Sequence, residues 1–377
     1  MTLEMKYAWF SITLLVAPSL ACTQEAPQVT PMSYVDGVIT VSAEIDSTND
    51  YSGIEIIVTD GNEDGPDTLG FTVTDREGRF AMDVVAKDRG IFPLVLKRGA
   101  TVLSVSQLVV VASDSAHVTA ELPLGQRIPM VKSYENSAWL AFRNADATHN
   151  ERISKLVVSG AGSAERIGRS IELTSEILWS IRTTYQGTMA ADLASAKAVV
   201  ILDGWNDSLL VVRLRELDPS ATGFAESVQA GGRAETRLNG LESGLALLLE
   251  MRAIAADPDT RAAIQREITQ AYLDVGRKDD AIAAAESLKV NNPGSDWARW
   301  AERAQYEANN LLPGISAPGF TLATRDGGVV DLDSLSGKLV VLDFWSPRDR
   351  QASQQLPEIA RVVDSDGWSI GLVWISV

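Results

Sequence analysis

The sequence is poor in the residues that carry redox and metal chemistry: one cysteine, Cys22, and two histidines, His117 and His149, in 377 residues. A single thiol cannot close an intramolecular disulfide, so stability has to come from packing and hydrogen bonding. The histidines lie far apart and match no H-E-x-x-H or comparable spacing, which leaves metal hydrolysis and triad catalysis without support. His117 falls in an alternating stretch and reads as a sheet-surface residue. His149 falls in the polar run NADATHNERIS and reads as an exposed loop residue. Basic side chains are also scarce, 33 against 50 acidic, and the formal charge of -17 repels phosphate backbones. Nucleic-acid binding is therefore not expected. No phosphate-cradling glycine loop, dinucleotide fingerprint or G-x-S-x-G elbow occurs, and no cofactor is expected.

What the sequence does have begins with a leader. After Met1 to Lys6 comes an apolar run, Tyr7 to Val16, too short to cross a bilayer and of the length of a secretory h-region. The stretch Ser19-Leu20-Ala21-Cys22 resembles a lipobox, which implies cleavage before Cys22 and acylation of that residue. Residues 1–21 then read as a signal peptide and 22–36 as a tether. The mature protein is expected in the cell envelope, at the periplasm or outer surface, held to the membrane through a lipid anchor at Cys22. Simple secretion and an uncleaved start are the other readings of this segment.

With 45% hydrophobic residues, the remaining chain is long enough for two or three domains. Over 37–125 short β-branched runs alternate, split by turns such as Asp60-Gly61 and Glu77-Gly78, and predict an antiparallel β-sandwich. The order SGIEIIVTD … TDREGRFAMDV resembles the prealbumin-like sandwiches related to carboxypeptidase regulatory domains. Within it, Asp60, Asn62 and Asp64 match the first half of a calcium loop. The twelfth position, where a bidentate Glu belongs, is Phe71, so a plain acidic hairpin loop is the leading reading.

Over 133–312 the period becomes helical, joined to the sandwich near Pro129 to Asn136. Apolar three-and-four spacing runs through Ile167 to Tyr185, Leu193 to Leu202, Leu209 to Leu217 and Leu238 to Ala255. The stretch AIQREITQAYLDVGRKDDAIAAAESLKVNNPGS resembles a tetratricopeptide helix pair, with Tyr272, Gly276, Ala281 and Pro293 at that family's intervals. One such pair makes no solenoid, so a helical bundle closed by this hairpin is expected. Trp179, Trp205, Trp297 and Trp300 read as core or groove packing.

Residues 313–377 carry several ordered blocks: Gly314-x-x-Ala317-Pro318-x-Phe320-x-Leu322, Asp326-Gly327, Leu332-x-x-Leu335-x-Gly337-Lys338, the run Leu339 to Trp345, Pro357-Glu358, and Ile370 to Val377. Read by pattern alone they predict hairpin, buried parallel strand, crossover helix and strand. Together the blocks resemble the thioredoxin-like domains of the TlpA type, within the alkyl hydroperoxide reductase/thiol-specific antioxidant family. The resemblance implies a Cys-x-x-Cys between strand and helix, where the helix N-terminus lowers a thiol pKa. Here the two positions are Asp349 and Ala352, and Asp349 reads as a helix cap. The blocks cover only part of such a domain, so a fragment of a longer reading frame is expected. Two function classes follow. The first is an envelope-anchored, redox-inactive binding or scaffold protein with an extracytoplasmic protein partner. The alternative is a thiol-disulfide oxidoreductase or peroxidase, as the fold label alone would say.

Overall fold

Alternation of apolar and polar side chains builds the first part of the chain, because in a strand successive residues face opposite sides. The computed structural model describes residues 32–44, 47–62, 65–125, 127–160, 162–324, 327–346, 348–349, 352–361 and 371–376. They form a mixed α/β chain with several small sheets, close to half helical. The chain divides into two compact units, Met1–Ala198 and Val199–Val377.

The first unit opens with eight strands: β1 Met32–Val41, β2 Glu55–Thr59, β3 Thr68–Val73, β4 Arg79–Val85, β5 Gly90–Arg98, β6 Thr101–Val110, β7 Ser115–Leu122 and β8 Met130–Lys132. They make two four-stranded sheets, ordered β4-β1-β7-β8 and β3-β2-β5-β6. Both sheets contribute to one apolar core, in which Val35, Ile39, Ile54, Ile56, Val58, Leu94, Leu96, Leu108 and Val118 are fully buried. Burying each such side chain contributes about 1.5–3 kcal/mol.

Two expectations need correction here. The first sheet is not wholly antiparallel, since β1 pairs with β7 in parallel. Parallel neighbours need a long crossover, and the chain makes it by running through the second sheet between those strands. In addition, residues 32–36, expected in the tether, belong to β1, where Ser33 and Val35 alternate inward between exposed Met32 and Tyr34.

Three helices follow: α1 Tyr134–Val158, α2 Ala164–Thr184 and α3 Met189–Val200. The Ser133 side chain caps α1 by accepting from the Asn136 N–H at 3.0 Å. The buried Asn136 amide joins α1 to the second sheet. Its Oδ1 accepts from the Val109 N–H at 2.9 Å, and its Nδ2 donates to the Val109 carbonyl at 3.3 Å.

In the second unit α4 Asp207–Leu214, α5 Phe224–Asn239, α6 Leu241–Ile254, α7 Pro258–Asp274, α8 Lys278–Asn291 and α9 Asp296–Asn310 succeed one another through short turns. The apolar stretch Leu238 to Ala255 is not one helix, because Gly240 adopts φ +90° between α5 and α6. Alanines Ala281, Ala285, Ala301, Ala304 and Ala308 form much of the α7–α9 core, which lets the helices approach closely. Gly276, at φ +71°, supplies the left-handed turn between α7 and α8. Trp297 and Trp300 pack against this core, whereas Trp205 is 43% exposed. No helix of the described residues is long and apolar enough to cross a membrane.

The unit ends in short elements. β9 Thr321–Ala323 and β10 Val329–Asp331 form an antiparallel hairpin, then a 3-10 turn over Leu332–Leu335 leads to β11 Leu339–Asp343. A helix over 352–361, α10, precedes β12 Leu372–Ser376, which pairs with β11 in parallel. β11 is not the buried strand its apolar run predicts: Leu339 is 55% exposed and the adjoining Phe344 74%. Among the described residues no further strand pairs with either member.

The α5–α6 contact gives a direct test of packing. A Cβ on Gly244 would overlap the Thr236 hydroxyl and lie 2.8 Å from the Gly232 carbonyl oxygen. Thr236 cannot swing aside freely, since its Oγ1 donates to that carbonyl at 2.8 Å. Overpacking costs about 1–3 kcal/mol, against a helix-propensity gain of about 1 kcal/mol for Ala over Gly. Gly244→Ala will therefore lower the thermal midpoint, and an unchanged or raised midpoint would refute this packing.

Candidate functional site

The C-terminal segment places Asp349 and Ala352 at the mouth of α10, after β11. Asp349 Oδ1 accepts from the Ala352 N–H at 3.1 Å, and its carbonyl accepts from the Ser353 N–H at 3.1 Å and the Ser353 hydroxyl at 2.8 Å. The Asp349 N–H in turn donates to the Ser346 carbonyl at 2.9 Å. This is N-cap geometry: a short polar side chain satisfies an amide that the first helical turn leaves without a partner. The negative charge also suits the positive end of the helix dipole. Asp349 is exposed, and neither residue carries a thiol.

The acidic loop between β2 and β3 is organised around one carboxylate. Asp60 Oδ1 accepts from the Asn62 N–H at 3.2 Å and from the Asp67 N–H at 3.0 Å, while Oδ2 accepts from the Asn62 side-chain amide. The carboxylate thus holds the turn through its own backbone. Phe71, at the twelfth position, sits in β3 and is 55% exposed. Asp64 lies outside the described residues, as does Cys22 with the whole leader. Among the described residues no group of three or more His, Cys, Asp or Glu side chains is arranged to hold a metal ion.

The histidines part ways. His117 is exposed in β7, with Nδ1 2.6 Å from Asp36 Oδ1 on the neighbouring β1, as a sheet-surface residue would be. His149 corrects the loop expectation: it lies within α1, is buried, and its Nδ1 is 3.1 Å from Thr174 Oγ1 on α2. The polar run around it is helical because its partners across the helix seam are themselves polar. Thr174 Oγ1 donates to the Ser170 carbonyl at 2.9 Å, completing the chain of bonds.

Sequence reading also missed an ion-pair network in the second unit. Arg233 and Arg237 on α5 both reach Asp203, Arg237 also binds Asp207 at 2.7 Å, and Arg233 lies 3.7 Å from Glu267 on α7. The Arg237 hydrogen bond holds the Asp207 carboxyl below the usual carboxylate range. Burial pushes Glu267 the other way, above its ordinary value, despite Arg233. Three helical segments brought together by charge are a structural tie, with both guanidiniums matched to carboxylates. The i,i+4 spacing of Arg233 and Arg237 was the one signal available in the sequence.

His149 carries a pH prediction. Burial holds its pKa below the ordinary value of 6.5, with Lys197 and Arg152 acting in the same direction and Asp146 opposing. With the folded value depressed, the unfolded chain binds the proton first as pH falls. The stability linked to neutral His149 is therefore complete above 6.5 and is lost as pH falls below that value toward the folded pKa. The urea midpoint of wild type will decline more steeply between about pH 7 and about pH 5 than that of His149→Gln. Equal slopes would remove His149 from the acid sensitivity.

No family model matches the chain and no curated protein sequence matches it. A functional reading therefore rests on the residues and the geometry described above.

Proposed function

We infer that this is an envelope-anchored, thioredoxin-like protein of the TlpA type that performs no thiol chemistry and works by binding a protein partner outside the cytoplasm. One observation carries the reading. Where the resemblance puts two cysteines, Asp349 instead caps α10 through the Ala352 N–H at 3.1 Å. Disulfide exchange needs an attacking thiolate and a resolving sulfur, and thiol peroxidases need at least the first. A carboxylate and a methyl group supply neither.

Other features support parts of the reading. The parallel β11 and β12 flanking α10, with an antiparallel hairpin before them, suit a thioredoxin-like segment. Two sheets over one core suit a sandwich, and the α7–α8 hairpin with its buried alanines suits a tetratricopeptide-like pair. Parallel strands ordinarily have both faces covered. Exposed Leu339, Leu342 and Phe344 leave apolar surface for a partner to cover.

The test is activity. The full chain and its Cys22→Ser variant will both fail to reduce insulin disulfides or consume peroxide above background. Turnover in wild type that disappears in Cys22→Ser would overturn the reading, and so would turnover present in both.

A further inference from the structure

The second unit contains a cavity of about 490 Å³ where the end of α6, the start of α7 and the end of α8 meet. That volume is in the range of small-molecule sites. Two arginines line it, Arg252 from α6 and Arg261 from α7. Arg252 Nη1 donates to Gln265 Oε1. Arg261 Nη1 donates to the carbonyls of Ala255 at 2.8 Å and Ala256 at 3.3 Å.

Neither guanidinium has a carboxylate partner among the described residues, unlike Arg215, Arg233, Arg237 and Arg277 of the same unit. In a chain with 50 acidic and 33 basic side chains, two unmatched guanidiniums at one cavity leave a local positive site in a negative protein. Arg252 is also held in place. Gln265, only 6% exposed, passes its Nε2–H to the Ala284 carbonyl at 3.0 Å, so a buried amide fixes the orientation of the fork. A preorganised guanidinium loses little further freedom when it takes an anion in bidentate fashion.

The rest of the lining defines what else the ligand must carry. Asn291 Nδ2 donates to the Ser287 carbonyl at 2.8 Å, and Asn292 Nδ2 to the Leu288 carbonyl at 2.9 Å. Asn291 Nδ2 also donates to the Ser287 hydroxyl at 3.3 Å, so that both Oδ1 atoms stay open as acceptors and one N–H of Asn292 stays open as a donor. A matching molecule combines carboxylate oxygens for the arginines with hydroxyl donors for the asparagines.

We propose that this α6–α7–α8 cavity is a binding site for a small organic anion of the hydroxy-carboxylate class. The proposal stands on the second unit alone and is independent of any reading of the C-terminal segment.

Titration calorimetry of the full chain in physiological saline, with citrate as probe and inorganic phosphate in parallel, tests it. Citrate will bind saturably and more tightly than phosphate. Arg252→Gln will weaken citrate at least tenfold, and Arg215→Gln, whose partner Glu250 lies outside the cavity lining, will leave it unchanged. Because Arg252→Gln removes a bond to buried Gln265, Ala253→Glu provides a second variant. It puts a carboxylate at an exposed rim position without touching the packing, and it will also weaken citrate at least tenfold. No saturable citrate binding, phosphate bound in preference, or citrate affinity unchanged in Ala253→Glu with its thermal midpoint intact would each overturn the site.

Discussion

The second sheet of the first unit ends at edge strand β6, and at Val109 one side chain stands in for the missing neighbour. Asn136 gives Val109 both an acceptor and a donor, at 2.9 and 3.3 Å, which is what a neighbouring strand would supply. An exposed edge is a template for wrong pairing, and an amide that mimics the next strand closes it locally. Because Asn136 also begins α1, the same pair of bonds sets where the helices start relative to the sheet. Losing the amide would strand two buried backbone groups, at about 1–3 kcal/mol each. The same device recurs. Ser175 Oγ donates to the Ala198 carbonyl at 2.5 Å, and Gln265 Nε2 to the Ala284 carbonyl at 3.0 Å. In a chain that cannot form an internal disulfide, buried polar side chains tie elements to one another's backbone.

The C-terminal pair is built on the opposite principle. β11 and β12 make one ladder with each other, Leu339 and Leu342 of β11 are exposed, and among the described residues no further strand pairs with either. α10 begins at a carboxylate that spends itself on its own helix. Under the proposed function such a segment presents surface and carries out no thiol chemistry, since Asp349 and Ala352 hold no sulfur.

How legible this was in the sequence follows from where the apolar residues fall. Strands β2 and β4 were visible because period-two alternation survives in them, as in Arg79 to Val85 with Phe80, Met82 and Val84 inward. Helix α1 falls within the range 133–312 read as helical, but the stretch around His149 reads as a loop, because the buried residues of α1 are Asn136, Ala138 and His149 and a polar seam leaves no hydrophobic stripe. The parallel β1–β7 pairing is a long-range property that no local pattern encodes. Asp349 as a cap was readable from its residue type and its place before a helix. The Arg252 and Arg261 cavity was not, since its lining comes from three helices whose ends meet only on folding.

The central contrast, an edge residue of the second sheet satisfied by the chain's own Asn136 and a C-terminal strand pair with exposed apolar residues, is measured most directly by amide hydrogen exchange on the full chain in isolation. The Val109 amide will exchange slowly, at a rate comparable with the interior of β1, and the amides along β11 and β12 will exchange fast. Protection of β11 and β12 equal to that of β1 would contradict the contrast, because it would mean that the pair is already covered.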